Sequence, residues 1–310
     1  MTAQNLEAFR IFYNHSIHPE LMRMDRLRRR LLRLLFFSVL VLIAVFALSL
    51  YFDVLALTFA MLIPVGIYIV YLVYRAQKFR STFKPHVVNL VLDFMDNDVN
   101  YGTLKYMPKK FIPKAVFLES KIFVTSADEY EGEDRIEGKI GELPFEMCEL
   151  NVREFSKVRN RLNYVFRGVF LKSEFKQDQT GSLLILPREF RQYLSRSIKA
   201  FDLLGGRNVD ASLPESEYRE LFLTYATPDA PFRAILSPDM QKALTGYRQR
   251  TGKEIYISIL EKNIYIAVTQ PKDMLEPFLF QSNVSFDLVR EFFEDVQLMI
   301  QIVAAFDEND

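Results

Sequence analysis

This chain is organised by two apolar runs, LLFFSVLVLIAVFALSLYF at residues 34–52 and VLALTFAMLIPVGIYIVYLVY at residues 54–74. Asp53 separates them and is the only charged residue in the whole stretch. Each run is about 20 residues, which as a helix is about the ~30 Å thickness of bilayer hydrocarbon. Lipid offers no partners for backbone N–H and C=O groups, so a spanning segment must be helical. The stretch predicts two transmembrane helices in a hairpin that turns at Phe52 and Asp53. A very apolar hairpin buried in a soluble protein is the alternative.

Basic residues flank the hairpin on one side of the predicted membrane. They lie before the first run and after the second, at Arg23, Arg26, Arg28, Arg29, Arg30, Arg33, Arg75, Lys78 and Arg80. The turn carries no Lys or Arg, and segments rich in these residues stay in the cytoplasm. The pattern therefore predicts a multi-pass protein with both termini cytoplasmic and the lipid bilayer as a partner.

The composition argues against several classes of function. The 310 residues include 39 basic and 39 acidic side chains, without the positive surplus expected of a nucleic-acid binder. Histidine occurs only at His15, His18 and His86, so the body after residue 86 has no His general base and no His zinc ligand. Cys148 is the single cysteine; a small apolar residue in a strand is its more common role than a nucleophile. We expect no enzyme activity and no cofactor.

Periodicity divides the remainder of the chain. Residues 1–33 predict amphipathic basic helices interrupted at Pro19, and residues 75–114 predict a juxtamembrane helix followed by a linker. Short alternating runs predict a β-rich unit over 115–187, and mixed signals predict an α+β unit over 188–310. The fold class is therefore α+β, with a transmembrane hairpin and a cytoplasmic body. The apolar face of the first helices fits either the lipid headgroup layer or packing on that body, and the sequence leaves both open.

Local signals are strongest in the C-terminal unit. Arg188 to Leu204 can form a helix that ends at Gly205. Ser237-Pro-Asp predicts a capped helix start, and Gly252 predicts the end of that helix. Residues 254–269 predict a β-hairpin, and a helix with a continuous apolar stripe follows from Ser285.

An acidic segment, DEYEGED at residues 128–134, is the densest charge feature of the body. We expect an acidic turn there. Its oxygen ligands favour a hard ion such as calcium or magnesium, with Asp128, Glu131 and Asp134 as the candidates. The spacing does not match an EF-hand loop, and a solvated turn is the more common structure, so we predict no metal.

Several motifs resemble a bacterial family of two-span membrane proteins of unknown function. They are YEGEDRIEGKIG at 130–141, FRGVF at 166–170, AILSPDM at 234–240 and the hairpin at 255–267. The residues that carry the likeness are Gly132, Gly138, Gly141, Phe166, Gly168, Phe170 and Pro238. The likeness extends over nearly the whole chain. It implies a bacterial inner-membrane protein and no particular activity.

The leading functional hypothesis is a membrane-anchored cytoplasmic interaction or scaffold module. Its partner would be another membrane or cytoplasmic protein, and not nucleic acid. A tether raises the concentration of such a module near other membrane components. One alternative is a membrane-associated enzyme that uses carboxylates and a divalent metal. Another is a lipid-headgroup-binding protein or a homo-oligomeric scaffold.

Overall fold

Long N-terminal helices precede a large antiparallel sheet, so the chain is α+β. The structure is a computed structural model that describes residues 3–52, 55–96, 101–156, 160–175, 180–190, 194–272 and 275–307. The chain divides into two compact units. The helical unit comprises Thr2–Phe94 and Leu275–Phe292, and the sheet unit comprises Met95–Met274 and Phe293–Asp310.

Three helices form most of the helical unit: α1 at Ala3–Phe12, α2 at His18–Phe52 and α3 at Leu55–Asp96. A π-helical segment, Tyr13–Ile17, joins α1 to α2, so the helix continues through Pro19. The predicted interruption at Pro19 is therefore wrong. Proline cannot donate a backbone hydrogen bond, and the wider π spacing directly before it accommodates the missing donor.

The apolar face of the first helix packs against other helices of this unit. The Phe9 ring lies 5.2 Å from that of Phe94 on α3 and 6.2 Å from that of Phe286, where α9 (Phe286–Asp307) begins. Tyr13 meets Phe286 edge to face at 5.0 Å. Phe9, Tyr13 and Ile17 are buried, so the described residues favour packing over the headgroup layer for this face.

Among the described residues, one helix is long and apolar enough to cross a membrane. It covers Asn5–Leu48, and only 6% of its most apolar 18-residue segment is buried. An apolar helix that remains so exposed lacks the protein contacts of a soluble core helix, which supports membrane association. Asp53, at the predicted turn, lies outside the described residues.

Nine strands are described in the sheet unit: β1 Tyr101–Met107, β2 Glu129–Ile140, β3 Leu143–Ser156, β4 Arg161–Glu174, β5 Leu183–Pro187, β6 Arg207–Asn208, β7 Phe222–Ala226, β8 Ile255–Leu260 and β9 Asn263–Thr269. They form one sheet in the order β1-β2-β3-β4-β9-β8-β5-β7-β6, and every neighbouring pair is antiparallel. The β8–β9 hairpin therefore lies between β4 and β5. The sheet draws strands from both sides of the boundary that the sequence placed after residue 187.

Two predicted segments differ from the structure. The linker expected within 75–114 contains β1, which pairs with β2, and the strands expected near residue 116 are instead the helix α4, Lys114–Glu119. The acidic turn is also wrong, because Glu129 begins the twelve-residue strand β2. Pairing with β3 holds Glu129 to Glu133 extended, although the composition of this segment favours a turn. The later part of β2, from Arg135 to Ile140, also pairs with β1.

Five further helices complete the described elements: α5 Ser195–Asp202, α6 Ser216–Leu221, α7 Phe232–Ile235, α8 Pro238–Thr251 and α9. Short 3-10 turns occur at Arg188–Phe190 and Asp210–Ser212. The helix predicted over 188–204 is therefore described only from Ser195 to Asp202. In α8 the prediction is confirmed, because Ser237 Oγ accepts from the Met240 N–H at 3.3 Å and Gly252 ends the helix at φ 70°.

Aromatic rings fill the core of the sheet unit. Between ring centroids, Phe117 of α4 lies 5.2 Å from Phe170. The Phe123 ring lies 5.1 Å from that of Phe166 and 4.9 Å from that of Tyr256. Phe166 and Phe170, two of the family-like residues, are thus core residues of β4. Pro238 is the first residue of α8.

The family-like glycines allow close approach of strands. Gly168 has φ 153°, and a Cβ there would lie 2.0 Å from the Val268 carbonyl oxygen on β9. At Gly132 a Cβ would lie 2.7 Å from the Leu150 side chain. Gly138 is similarly crowded, and Gly141 turns the chain between β2 and β3 at φ 58°.

Candidate functional site

Three carboxylates converge where β2 meets β3. Glu133 pairs with Glu149 across the two strands, and the register shifts between Glu133 and Ile136. Asp134, in this bulge, adopts φ 60°, a conformation that Asp tolerates better than most residues. Carboxylate oxygens of Glu133, Asp134 and Glu149 all lie within 4.8 Å of one another. We call these three residues the acidic cluster.

A tyrosine borders the acidic cluster. The Tyr106 hydroxyl on β1 donates a hydrogen bond to Asp134 Oδ1. Burial raises the pKa of Tyr106 far above its usual value, and the negative charge of Asp134 raises it further. Asp134 and Glu149 are buried and Glu133 is exposed, so the cluster opens to solvent on one side. Oxygen ligands at this density suit a hard divalent cation.

The structure brings together only one of the three predicted metal ligands. Asp128 Oδ2 accepts from the Phe155 N–H at 2.7 Å and from the Ser126 hydroxyl at 2.8 Å, so it holds the start of β2 to the end of β3. Glu131 is an exposed residue of β2. Sequence reasoning missed Glu149, because only the register of β2 with β3 places it opposite Glu133.

A buried polar network lies elsewhere in the sheet unit. Lys253 Nζ donates to Asp295 Oδ2 at 2.6 Å, and the Tyr247 hydroxyl donates to Asp295 Oδ1 at 2.6 Å. Arg248 pairs with Glu254 beside them. Burial raises the pKa of Glu254 to about 7, while the adjacent Arg248 guanidinium acts in the opposite direction. These contacts join α8, the start of β8 and α9, which indicates a structural role.

Cys148 is a core residue of β3. Its Sγ accepts a hydrogen bond from the Ile112 N–H at 3.3 Å. Burial raises the pKa of the thiol to about 12. A thiol that stays protonated at neutral pH is a poor nucleophile, which supports the predicted apolar role.

Arg28 differs from the other basic residues of the membrane flank because its side chain is buried. Its Nε donates to Asp25 Oδ1 at 2.8 Å, and its Nη1 donates to the Leu279 carbonyl oxygen at 2.8 Å. Arg29 Nε donates to Asp25 Oδ2 at 2.7 Å. The exposed members of the predicted set are Arg23, Arg26, Arg29, Arg30, Arg33, Arg75, Lys78 and Arg80.

A family model described as "Protein of unknown function (DUF3137)" matches residues 164–308. This match is consistent with the uncharacterised family that the motifs predicted, and it covers the C-terminal part of the chain. Three of the four resembling segments, at 166–170, 234–240 and 255–267, lie within the match.

No curated protein matches the chain. Among solved structures, the crystal structure of the mycobacterial trehalose monomycolate transport factor A, TtfA, aligns at 8% identity. The alignment covers 63% of this chain and 88% of that chain, with a TM-score of 0.25. A score of that size supports no inference about this chain.

Proposed function

We propose that this chain is a membrane-anchored module of the bacterial inner membrane, in which α2 and α3 span the bilayer and the sheet unit binds another protein in the cytoplasm. The observation that carries the proposal is the apolar, almost unburied part of α2. Exposed apolar surface of this extent must be covered, and lipid covers it most simply. The arginine flank then orients the hairpin.

The second span is supported by α3. Several apolar residues in the first half of this helix are exposed, among them Ile63, Ile67, Val70 and Tyr74. His86 Nε2 lies 3.5 Å from Glu20 Oε2, so the late part of α3 lies beside the start of α2. Two helices joined after Phe52 and meeting again at this pair run antiparallel, as a two-span hairpin requires.

A patch formed by the end of β3 and the start of β4 supports partner binding. Phe155 lies directly opposite Leu162, and Tyr164 lies opposite Arg153. Opposite residues share a face, as do residues two apart, so all four side chains form one surface, the hairpin patch. Phe155, Leu162 and Tyr164 are exposed, and the Arg153 guanidinium lies 4.8 Å from the Tyr164 ring centroid. Aromatic residues and arginine are enriched in protein interfaces.

The anchor is tested by topology. A fluorescent-protein fusion after Asp310 should be fluorescent, which reports the cytoplasm, and alkaline phosphatase inserted at Asp53 should be active, which reports the periplasm. Carbonate should leave the intact protein in the membrane pellet. Both reporters in one compartment, or release by salt, would contradict the two-span anchor.

The hairpin patch is tested by capture from native membranes. We expect the wild type to retain a partner that the double variant Phe155→Ser/Leu162→Ser loses. Leu203→Ser is the matched control, because Leu203 is 89% exposed and lies outside the patch. Light scattering in detergent separates a second copy of this chain from a different protein. If the wild type, the double variant and the Leu203→Ser control all captured the same proteins, the proposed binding role of the hairpin patch would be refuted.

The acidic cluster favours a second candidate, a membrane-associated protein or enzyme that holds a divalent cation. Calorimetric titration should show calcium or magnesium binding that Glu149→Gln weakens at least about tenfold, since one of three charged oxygen donors is lost. Glu131→Gln removes the same charge from the exposed side of β2 and should leave the affinity unchanged. The candidate would be ruled out if Glu149→Gln and Glu131→Gln changed the affinity equally. It would also be ruled out if the wild type gave no heat of binding at millimolar calcium or magnesium.

A further inference from the structure

A short, hydrogen-bonded loop of the helical unit carries an exposed aromatic side chain. Phe280 is 84% exposed and Phe278 is 49% exposed. The buried Asn283 closes this loop, because its Oδ1 accepts from the Phe278 N–H at 2.7 Å and its Nδ2 donates to the Phe278 carbonyl oxygen at 2.9 Å. We call residues 278–283 the aromatic loop.

Two arginines attach this region to the two long helices. Arg28 of α2 donates to the Leu279 carbonyl oxygen at 2.8 Å, next to Phe280. Arg80 of α3 pairs with Glu276, two residues before the loop, at 3.5 Å. Arg28 is buried and also bonded to Asp25, so the contact to the loop is well fixed.

Both attachments lie at the same distance from the apolar runs. Arg28 is six residues before Leu34, and Arg80 is six residues after Tyr74. Six helical residues span about 9 Å. The headgroup layer on each side of the hydrocarbon is roughly 5–8 Å thick, so the attachments lie at about its outer edge.

We infer that the aromatic loop inserts Phe280 into the cytoplasmic headgroup layer, with lipid as the occupant of its exposed face. The inference rests on the proposed two-span anchor. One Cα step of about 3.8 Å plus a phenylalanine ring is long enough to reach from Leu279 into that layer. Arg29, Arg30 and Arg33, exposed on the same stretch of α2, supply positive charge for anionic headgroups. Adjacent aromatic and basic groups are typical of an interfacial segment.

Such a contact has a consequence for the anchor. Insertion at a third point, beside the two spans, restrains tilting of the helical unit relative to the membrane plane. The loop is preorganised by Asn283 and Arg28 and loses little conformational freedom on insertion, so even one phenylalanine contributes to binding.

Single-tryptophan variants test this inference, because the chain contains no tryptophan. Full-length Phe280→Trp is reconstituted into vesicles of phosphatidylethanolamine and phosphatidylglycerol, with and without brominated acyl chains. We expect blue-shifted emission that brominated lipid quenches about twofold, as for an interfacial aromatic. Adding Asn283→Ala to Phe280→Trp should reduce the quenching, because the loop loses its closure.

Two matched variants separate the possible failures. Phe37→Trp lies within the first apolar run and should be strongly quenched. Ile11→Trp, at a residue that is 57% exposed on α1, lies more than ~30 Å along the helix from that run and should not be quenched. Quenched Phe37→Trp with unquenched Phe280→Trp would overturn the inference alone. Failure of both would overturn the membrane anchor. Blue-shifted but unquenched Phe280→Trp would place the side chain against protein, in this chain or a second copy of it, and would also overturn the inference.

Discussion

Replacing Gly168 by alanine is expected to destabilise the sheet unit by about 3 kcal/mol, from strain at a positive φ and a backbone clash. The Cβ would lie 2.0 Å from the Val268 carbonyl oxygen, and neither strand can retreat without losing the β4–β9 pairing. Thiol labelling of Cys148 in increasing denaturant measures the effect, because this buried residue of β3 lies opposite Phe170 on β4.

The control is Gly246→Ala in the same unit. Gly246 is inside α8, and a Cβ there meets nothing within 4 Å. Alanine is the better helix former, so this variant should be unchanged or more stable by about 0.5–1 kcal/mol. Equal denaturant midpoints of unfolding for the Gly168→Ala variant and the wild type would show that β4 and β9 do not approach as closely as described.

Removing the Asp295 carboxylate should be at least as costly. Asp295→Ala leaves the Lys253 ammonium buried without the carboxylate that lies 2.6 Å away, and also takes the acceptor from the Tyr247 hydroxyl. Breaking one side of a buried pair typically costs about 3–5 kcal/mol. Denaturant unfolding in detergent, followed by Cys148 labelling, is the measurement.

Two companion variants make this prediction specific to the buried charge. Lys253→Met combined with Asp295→Leu removes both charges and should recover most of the loss. Asp287→Ala breaks an exposed pair with Arg290 on the same helix and should cost at most about 1 kcal/mol. If the double variant is no more stable than Asp295→Ala, packing rather than charge accounts for the loss.

Much of the fold could be predicted where the local pattern and the tertiary structure agree. The Ser237-Pro238 start and the Gly252 end of α8 depend on neighbouring residues alone, and the β8–β9 hairpin has alternating residues on both sides of a tight turn. The long α9 helix shows its apolar stripe directly in the sequence. In such elements the determinants lie within a few residues of one another.

The predictions of secondary structure were wrong where contacts with residues distant in the sequence determine the conformation. The segment 101–107 lies among Asn, Asp, Gly and Pro residues that favour a linker, and it forms β1 because it pairs with residues 135–140. The acidic first half of β2 has a turn-like composition, yet its pairing with β3 holds it extended.

The candidate sites depend on the same long-range contacts. Glu149 joins the acidic cluster only through strand register, and Arg28 reaches Leu279 across more than two hundred residues of sequence. Its position in the sequence places Arg28 among the arginines that flank the apolar runs. Only the tertiary structure shows that its side chain is buried and bonded to Asp25 and to the Leu279 carbonyl oxygen.

The strand order also constrains biosynthesis. β4 ends at Glu174, but its neighbour β9 and the adjoining β8 are not translated until residues 255–269. At roughly 5–20 residues per second, translation from Glu174 to the start of β9 takes on the order of 4–18 s, and the edge of β4 is unpaired during this time. Open strand edges recruit other strands, so this interval is when ribosome-associated chaperones would be needed most.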